Sequence, residues 1–514
     1  MTFLNPFRSE RQRWARPAAS VQAASHPALP NLDPKAIELF DKALPRGVLI
    51  PRLHRDRERV NYWMSFAELY RLRYKPGQII LGKVGHHYIG SLDDRPMVTI
   101  ANARAGKSST VLEPNLYLYP GSILVLDPKG ELARNTAEFR KQVGHRVHVL
   151  DPFGQSGQPS SCFNFLDALD VDDPELIDDI ALITGALVPS DGDSKNRHFT
   201  DNARMLLTGL ILLTMTMDRE ERNLVTVREL LCLTYEPLVR AVRLSERSNE
   251  QKKNFYDGNS TAIRALLNRL ISMRDKFSGI AAGIGNRFKQ TPQDELGSIF
   301  STAAVHTDFL DSVPMRGILR HSDFKLEDLR GDEPITIYLC LPVGRLERQS
   351  RWLRMFVQLT CTVLEKLGPA SRDRTPLLFM MEEFGVLGYM EIMERAAAYF
   401  PGFGVKLWVV LQDITQLQRH FQASWETFLG NSGVVQLFAN GDEATLKYAS
   451  TRVQKLVEPF EIRTAFSRER GSQLLLIEGR PPAAIPRLTH ADVANIRAKL
   501  LERVTASRAA LRHL

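Results

Sequence analysis

The chain has 514 residues, of which 44% are hydrophobic and 25% are charged, and its formal net charge is +8. These proportions are those of an ordinary globular protein, and the length predicts two or three compact units. The four cysteines are scattered without a C-x-x-C pair, which indicates neither a zinc site nor a disulfide framework and favours a reducing, cytoplasmic compartment.

The first 76 residues form a predicted basic, partly flexible leader. They hold 14 Lys and Arg residues against 7 Asp and Glu residues, so the remainder of the chain is nearly neutral. Such a segment suits an anionic membrane surface or a nucleic acid, and it suits a solvated tail equally well. Residues 17–34 are rich in Ala, Ser and Pro and are predicted to form a flexible linker.

Eight short aliphatic runs are predicted to be buried strands. They are PMVTI (96–100), SILVLD (122–127), RVHVLDPFG (146–154), ITIYLCLP (335–342), LLFMMEE (377–383), KLWVVLQ (406–412), VVQLFAN (434–440) and SQLLLIEG (472–479). Continuous apolar strands of this kind are typical of a parallel sheet that is covered on both faces. Helical segments separate most of the runs, so the sequence predicts an α/β domain.

Residues 170–330 lack such runs and show helical patterns instead. The most apolar stretch, LLTGLILLTMTM at 206–217, is too short to span a membrane and is flanked by Arg204 and Asp218, so we predict a buried helix. We therefore interpret this region as an all-α domain that is inserted into the α/β domain.

The insertion divides the α/β domain into two parts, residues 77–169 and 331–488. The chain then ends in a basic amphipathic helix at 489–514. Two roles remain open for this helix, packing against the domain or contact with a partner.

A phosphate-binding loop is predicted just after the first of these strands. Gly106, Lys107 and Ser108 match the pattern G-x-x-x-x-G-K-[ST], but Ala101 replaces its first glycine. In such a loop backbone N–H groups surround the phosphates, the lysine reaches the β- and γ-phosphates, and the serine hydroxyl binds Mg²⁺. Alanine fits the first position if its φ is negative. The residues assigned to the nucleotide are Ala101, Asn102, Ala103, Arg104, Ala105, Gly106, Lys107, Ser108 and Ser109.

Two carboxylates, Glu382 and Glu383, end the apolar run LLFMMEE. A Walker B site needs such a pair, one carboxylate for the Mg²⁺ shell and the next to orient the attacking water; the alternative is a solvated acidic turn. Gln412 ends another strand, where a polar group can sense the γ-phosphate or the water. We therefore assign Glu383, Glu382 and Gln412 to catalysis, and Ser108 with Glu382 to Mg²⁺.

Several segments between Gly77 and Ile485 match a known family. They are GQIILGKV (77–84), VLEPNLYLYPGSILVLDPKGELARNTAEFRKQVGHRVHVLDPFG (111–154) with PKGE at 128–131, SCFNFLDAL, RHFTDNARMLLTGLILL (197–213), SRWLRM (350–355), MEEFGVLG, LWVVLQDITQL (407–417) and FLGNSG (428–433). The sequence thereby resembles the type IV secretion coupling proteins, the TraG/TraD-type conjugative ATPases of the FtsK/HerA branch of RecA-like motors. Many members of this family begin the loop with Ala and place Arg at the position of Arg104, so Ala101 does not indicate an inactive site.

The resemblance implies a RecA-like P-loop domain with an inserted all-α domain, and ATP with Mg²⁺ as cofactors. It also implies a homo-hexameric ring that passes single-stranded DNA or a relaxase–DNA complex to a type IV secretion channel. Basic residues in loops facing the pore would grip the phosphates without reading sequence. Asp127 in the LDPKGE block lies near the nucleotide edge of the sheet in this interpretation, or it caps a helix.

Three features depart from the family pattern. Members typically begin with one or two transmembrane helices, and none is predicted here, so we expect a cytoplasmic protein or one held at the inner membrane by an anchoring partner or by the basic leader. Glu382 stands where Asp is usual. Pro401 replaces an Arg that acts as a finger on the neighbouring subunit's ATP, and Arg395, Arg351 and Arg354 are candidate substitutes.

Two other functions remain open alongside the ATP-driven motor. One is an ATP-binding receptor or adaptor for secretion substrates with little hydrolysis, which Pro401 and Glu382 favour, whereas Ser108 and Glu383 favour the motor. The other is a soluble HerA-like DNA translocase.

Overall fold

All eight predicted aliphatic runs form strands in the computed structural model, which describes residues 63–189, 197–240, 258–371 and 373–511. The strands are β1 (Ile79–Val84), β2 (His87–Ser91), β3 (Met97–Ala101), β4 (Ile123–Leu126), β5 (Arg146–Leu150), β6 (Ile335–Leu339), β7 (Leu377–Met381), β8 (Val405–Leu411), β9 (Val434–Phe438), β10 (Ser472–Ile477) and β11 (Ala483–Pro486). Most of the predicted basic leader, with its predicted linker, lies outside the described residues.

Nine of these strands form one mixed sheet in the order β11-β10-β9-β3-β8-β7-β4-β6-β5. The seven strands from β9 to β5 are parallel, as predicted, and every residue of β3, β4, β6, β7, β8 and β9 is buried, so both faces of the sheet are covered. The predicted parallel pairing does not extend to β10, which runs antiparallel to β9 and to β11. The connection from β10 to β11 is only five residues long, and so short a connection permits only an antiparallel pair.

The first segment of the family resemblance forms β1, which is not part of the large sheet. β1 pairs with β2 in a separate antiparallel hairpin. The hairpin is fixed by Asn115, whose side chain accepts a hydrogen bond from Ile80 N at 2.8 Å and donates one to Ile80 O at 3.0 Å.

Helices cover the sheet and fill the interval between β5 and β6. They include α1 (Phe66–Arg71), α2 (Glu113–Leu118), α3 (Glu131–Gln142), α4 (Leu176–Leu187), α5 (Arg197–Met215), α6 (Leu224–Leu231), α7 (Gly258–Ile271), α8 (Ile280–Gln290), α9 (Gln293–His306), α10 (Val313–Ile318), α11 (Leu346–Lys366), α12 (Glu391–Tyr399), α13 (Thr415–Phe421), α14 (Trp425–Gly430), α15 (Glu443–Arg452), α16 (Pro459–Ala465) and α17 (His490–Leu511). A π-helical turn, Ser108–Leu112, leads directly into α2.

Between β5 and β6 the described residues contain helices and no strand, in agreement with an inserted all-α region. The apolar run of α5 is the buried helix that was predicted, since Leu206, Leu207 and Leu210 are fully buried. Within the ranges that the structure describes, no helix is long and apolar enough to cross a membrane. At the end of α11, Lys366 Nζ lies 2.8 Å from Asp173 Oδ2 and 2.6 Å from Asp179 Oδ2, which ties α11 to the start of the insert.

The final helix, α17, packs against α2 and α3. Val493 and Ile496 are buried with Tyr117 of α2 and Phe139 of α3. Of the two roles left open for this helix, these contacts show packing for its first two turns. Because α17 starts beside α2, it also brings residues that precede it close to the phosphate loop.

Candidate nucleotide-binding site

The sheet order brings the predicted site residues to one edge. The phosphate loop follows β3, Gln412 follows the neighbouring β8, and Glu382 and Glu383 follow β7, which is next to β8. The carboxyl ends of parallel strands meet at the same edge of a sheet, where ligands bind in open α/β folds. A cavity of about 670 Å³ opens at this edge and is lined by residues 103–109 and by Glu382.

Ala101 occupies a position that needs no glycine. It is the last residue of β3, where it pairs with Phe438 of β9, and its side chain is fully buried. It is not among the described residues with positive φ, whereas Gly106 has a φ of 87° and Arg104 a φ of 59°. The loop therefore makes its left-handed turns at Arg104 and Gly106, and neither Ala101 nor Asn102 lines the cavity.

Lys107 is folded back onto the loop that carries it. Its ammonium donates a hydrogen bond to Ala101 O at 2.7 Å, and the side chain is buried. Burial lowers the pKa of Lys107, and the charges of Glu383 and Glu382 oppose this shift. Ser109, in the π-helical turn, lines the cavity beside Lys107.

Ser108 and Glu382 are joined directly. Ser108 Oγ donates to Glu382 Oε1 at 2.7 Å, and Glu382 is only 1% exposed. Burial raises the pKa of Glu382, although the hydrogen bond from Ser108 lowers it. Glu382 Oε2 is buried without a hydrogen-bond partner among the described residues.

These oxygen atoms fit a hard divalent cation. A hydroxyl and a carboxylate are ligands that Mg²⁺ accepts, together with water and phosphate oxygens. The buried, unpartnered Oε2 of Glu382 is the atom whose desolvation such a charge would offset.

Glu383 is held from two sides. Gln412 Nε2 donates to Glu383 Oε2 at 2.9 Å, and Lys129 Nζ lies 3.9 Å from Glu383 Oε1. The backbone of Glu383 is left-handed, with φ 58° and ψ 46°. Glu383 and Gln412 do not line the cavity themselves, but Lys129 does.

Asp127 is fully buried at the end of β4 and caps α3. Its Oδ2 accepts the N–H of Ala133 at 2.8 Å, so the capping interpretation is confirmed. Burial, and then the charge of Glu382, raises the pKa of Asp127 to about 8. Its Oδ1 has no hydrogen-bond partner in the part of the chain that the structure describes.

Sequence reasoning missed two arginines that line the cavity, Arg468 and Arg487. Arg487 Nη1 donates to Ala105 O at 2.5 Å, and its guanidinium lies 4.4 Å from the centre of the Phe438 ring. Both arginines are more than 350 residues from the loop in sequence, so no local motif could have identified them. They reach it because β10 and β11 extend the sheet beyond β9, with Arg468 just before β10 and Arg487 directly after β11.

The three candidate substitutes for the finger arginine do not line this cavity. Arg354 Nη1 donates to Leu387 O and Tyr389 O, which holds the loop after the Walker B strand. Arg351 lies near Asp308, and Arg395 lies 4.0 Å from Glu391 on the exposed side of α12.

The parallel sheet, the loop after β3 and the paired carboxylates after β7 define a RecA-like P-loop α/β protein with an added helical region. The sequence matches the family model for "Type IV secretory system Conjugative DNA transfer" over residues 63–483. This match covers most of the chain, and the chain belongs to that family of coupling proteins.

Individual relatives and solved structures agree with this assignment. The conjugal transfer protein TraG of Escherichia coli is 26% identical over 331 residues, which cover 63% of this chain and 48% of TraG. Protein VirD4 of Rhizobium rhizogenes is 23% identical over 486 residues, which cover 86% of this chain and 67% of VirD4. The chain therefore spans about half the length of the TraG relatives that it matches.

The fold is similar to that of the bacterial conjugative coupling protein TrwBdeltaN70, with a TM-score of 0.58, 15% identity, and coverage of 82% of this chain and 91% of the other. A structure of TrwB with the ATP analogue ADPNP is similar with a TM-score of 0.55, 16% identity, and coverage of 82% and 92%. At this level of identity the likeness applies to the fold alone.

Proposed function

We propose that this chain is the ATP-dependent coupling protein of a type IV secretion or conjugation system, which binds and hydrolyses ATP to deliver its substrate to the secretion channel. The observation that carries the proposal is the convergence of three separate sequence segments at one sheet edge. Ser108 is bonded to Glu382, and Gln412 is bonded to Glu383, beside a cavity lined by the phosphate loop.

The loop would bind the phosphates of ATP. Lys107 would exchange its bond with Ala101 O for one with the β- and γ-phosphate oxygens, because a charge-assisted bond to phosphate is stronger than one to a neutral carbonyl. Gly106 provides the positive φ that the loop requires where it meets the ligand. Asn102, Ala103, Arg104, Ala105 and Ser109 complete the loop that we assign to the nucleotide.

Ser108 and Glu382 would hold Mg²⁺ at the phosphates. A bound Mg²⁺ supplies positive charge that neutralises the β- and γ-phosphate oxygens during phosphoryl transfer. The two side chains already lie together, so little rearrangement would be needed for both to bind the ion.

Glu383 would orient the attacking water and accept its proton. Gln412 fixes the carboxylate through its amide, and the same amide would sense the position of the water. Positioned proton transfer of this kind contributes about 10²- to 10⁴-fold to a rate.

The substrate and assembly are proposed from the family. Its description names conjugative DNA transfer, and the relatives include TraG and VirD4. We infer that the chain forms a homo-hexameric ring that recruits single-stranded DNA, or a relaxase–DNA complex, and passes it to the channel components of the secretion system.

A second candidate is an ATP-gated adaptor with little hydrolysis. Pro401 favours it, because the family resemblance implies a finger arginine at this position. An arginine finger contributes about 10³- to 10⁵-fold to turnover, so its loss without replacement would leave a site that binds ATP but hydrolyses it slowly.

The test is ATP turnover against protein concentration, with and without single-stranded DNA. For the motor we expect specific activity to rise with concentration and with DNA. Lys107→Ala should lose nucleotide binding and activity, and Glu383→Gln should bind ATP without turning it over. Tight nucleotide binding with flat, negligible turnover would instead establish the adaptor.

A further inference from the structure

A second lysine, Lys129, projects at the same edge of the sheet as the phosphate loop. It belongs to a tight turn between β4 and α3, in which Gly130 N donates to Asp127 O at 3.0 Å. The side chain of Asp127 closes the turn from below by accepting the N–H of Ala133. The backbone that carries Lys129 is thus anchored at both ends.

Gly130 makes this turn difficult to change. Its φ is 66°, and a Cβ at this position would come within 2.8 Å of Ser156 N. Both the left-handed backbone and the close approach require glycine here. The position of Lys129 relative to β7, which pairs with β4, is therefore set by the fold.

The Lys129 ammonium lies at the cavity beside the residues assigned to phosphate and metal. It is 3.9 Å from Glu383 Oε1, and the side chain lines the cavity together with Lys107 and Ser108. Burial raises the pKa of Glu382, and the hydrogen bond from Ser108 and then the charge of Lys129 act in the opposite direction. The side chain of Lys129 is 43% exposed, so it is free to reorient in a way that the buried Lys107 is not.

We propose that Lys129 contacts the γ-phosphate of ATP and supplies, within the same chain, positive charge that an arginine finger supplies in related motors. This inference rests on the proposed nucleotide site. A lysine is a point charge on a flexible four-carbon stem. It can therefore follow the γ-phosphoryl group, whose negative charge is spread over three equatorial oxygens during transfer.

The contact has a distinct consequence for binding. Lys129 would leave Glu383 partly free when it moves to the γ-phosphate, so the carboxylate becomes available to the attacking water. ADP lacks the γ-phosphate, and its affinity should therefore be independent of Lys129. A charge-assisted hydrogen bond to the γ-phosphate corresponds to roughly ten- to a hundredfold in affinity.

The experiment compares the wild-type protein, Lys129→Met and the control Lys141→Met, which removes an exposed lysine at the end of α3. Dissociation constants are measured for ADPNP and for ADP, each with Mg²⁺. We expect Lys129→Met to weaken ADPNP binding by about ten- to a hundredfold and ADP binding by less than twofold, with Lys141→Met like wild type. Lys129→Arg should retain most of the preference for ADPNP.

Each outcome has one meaning. Equal losses of ADPNP and ADP affinity in Lys129→Met, or no loss of either, would overturn the contact with the γ-phosphate. If wild type binds neither nucleotide, the proposed function fails and this inference fails with it. If wild type prefers ADPNP through Lys129 but shows no turnover, hydrolysis fails as a function while the role of Lys129 in binding stands.

Discussion

The amide of Gln412 holds the carboxylate of Glu383 through both oxygens, at 2.9 Å to Oε2 and 3.2 Å to Oε1. This contact joins the ends of two neighbouring strands, β8 and β7. The backbone of Glu383 is left-handed, a conformation that costs a non-glycine residue on the order of 1–3 kcal/mol. The strained backbone and the hydrogen bonds from Gln412 together hold Glu383 in one orientation. We assign this side chain the role of orienting the attacking water.

Replacing Gln412 by Ala should therefore lower turnover more than it lowers affinity. We expect kcat to fall by roughly ten- to a hundredfold, because Glu383 remains but is less well oriented. The dissociation constant for Mg²⁺–ATP should change less than threefold, since Gln412 does not line the cavity. The measurement is steady-state hydrolysis combined with equilibrium binding.

Gln418→Ala is the matched control, since Gln418 is exposed in α13 and is not one of the proposed site residues. An unchanged kcat in Gln412→Ala would show that Glu383 needs no help from this amide, and the assignment of Gln412 would be wrong.

Restoring the usual first glycine of the loop should bring no benefit. Ala101 is fully buried in β3 and lies outside the positive-φ region, so Ala101→Gly removes a packed methyl group and adds backbone freedom. We expect the free energy of unfolding to fall by about 1–2 kcal/mol and ATP affinity to stay the same. Chemical denaturation and nucleotide titration measure the two quantities.

Gly106→Ala provides the contrast, because Gly106 has a φ of 87°. It should weaken nucleotide binding as well as stability. A tenfold gain in affinity for Ala101→Gly would mean that alanine is a functional defect at the first position, contrary to the geometry.

Arg487 should support the phosphate loop through its bond with Ala105. Its guanidinium donates to Ala105 O and stacks on Phe438, and the residue is 8% exposed. Arg487→Ala leaves a buried carbonyl without its partner, which costs about 1–3 kcal/mol of stability. Because the loop is then less well fixed, we expect Mg²⁺–ATP affinity to fall by roughly tenfold.

Arg480→Ala tests for a nonspecific effect of lost positive charge, since Arg480 is exposed in the connection between β10 and β11. Loss of stability in Arg487→Ala with unchanged nucleotide affinity would leave Arg487 a packing residue only.

The sequence is most informative where a feature depends on residues that are adjacent in the chain. Aliphatic runs such as ITIYLCLP identify buried strands because each residue of a central strand meets apolar partners on both faces. The loop at Gly106 and the pair Glu382–Glu383 are recognisable because their geometry is set within a few residues of a strand end. Their common location then follows from the parallel strand order.

The parts that could not be predicted depend on distant segments. GQIILGKV is part of the family resemblance, but its place outside the large sheet, in β1 paired with β2, could not be read from the sequence. Arg487 directly follows β11, so it reaches the loop only because β10 and β11 extend the sheet beyond β9. Lys129 lay within a recognised block, but its proximity to Glu383 depends on the pairing of β4 with β7.

A buried pair, Arg140 and His145, makes stability depend on pH. The Arg140 guanidinium is fully buried and donates to oxygens of Thr336, Leu116 and Tyr119. Its Nη2 lies 2.8 Å from His145 Nδ1, which must accept the hydrogen bond and so carry no proton. Burial, and then the charge of Arg140, lowers the pKa of His145 to about 3.

His145 should therefore make the protein less stable as pH falls below its unfolded-state pKa of about 6.5. Between pH 6.5 and 3 the unfolded state binds this proton and the folded state does not, so stability is complete above pH 6.5 and is lost on acidification. His145→Gln keeps an acceptor for Arg140 and removes the titration. Relative to wild type, the variant should gain up to about 2 kcal/mol between pH 7 and pH 5.

Urea unfolding followed by tryptophan fluorescence at pH 7, 6 and 5 measures this difference. His86→Gln is the control, since His86 is exposed in the turn between β1 and β2. If His145→Gln and wild type lose stability in parallel from pH 7 to pH 5, then His145 accepts its proton in the folded state, and Arg140 must be held without the imidazole.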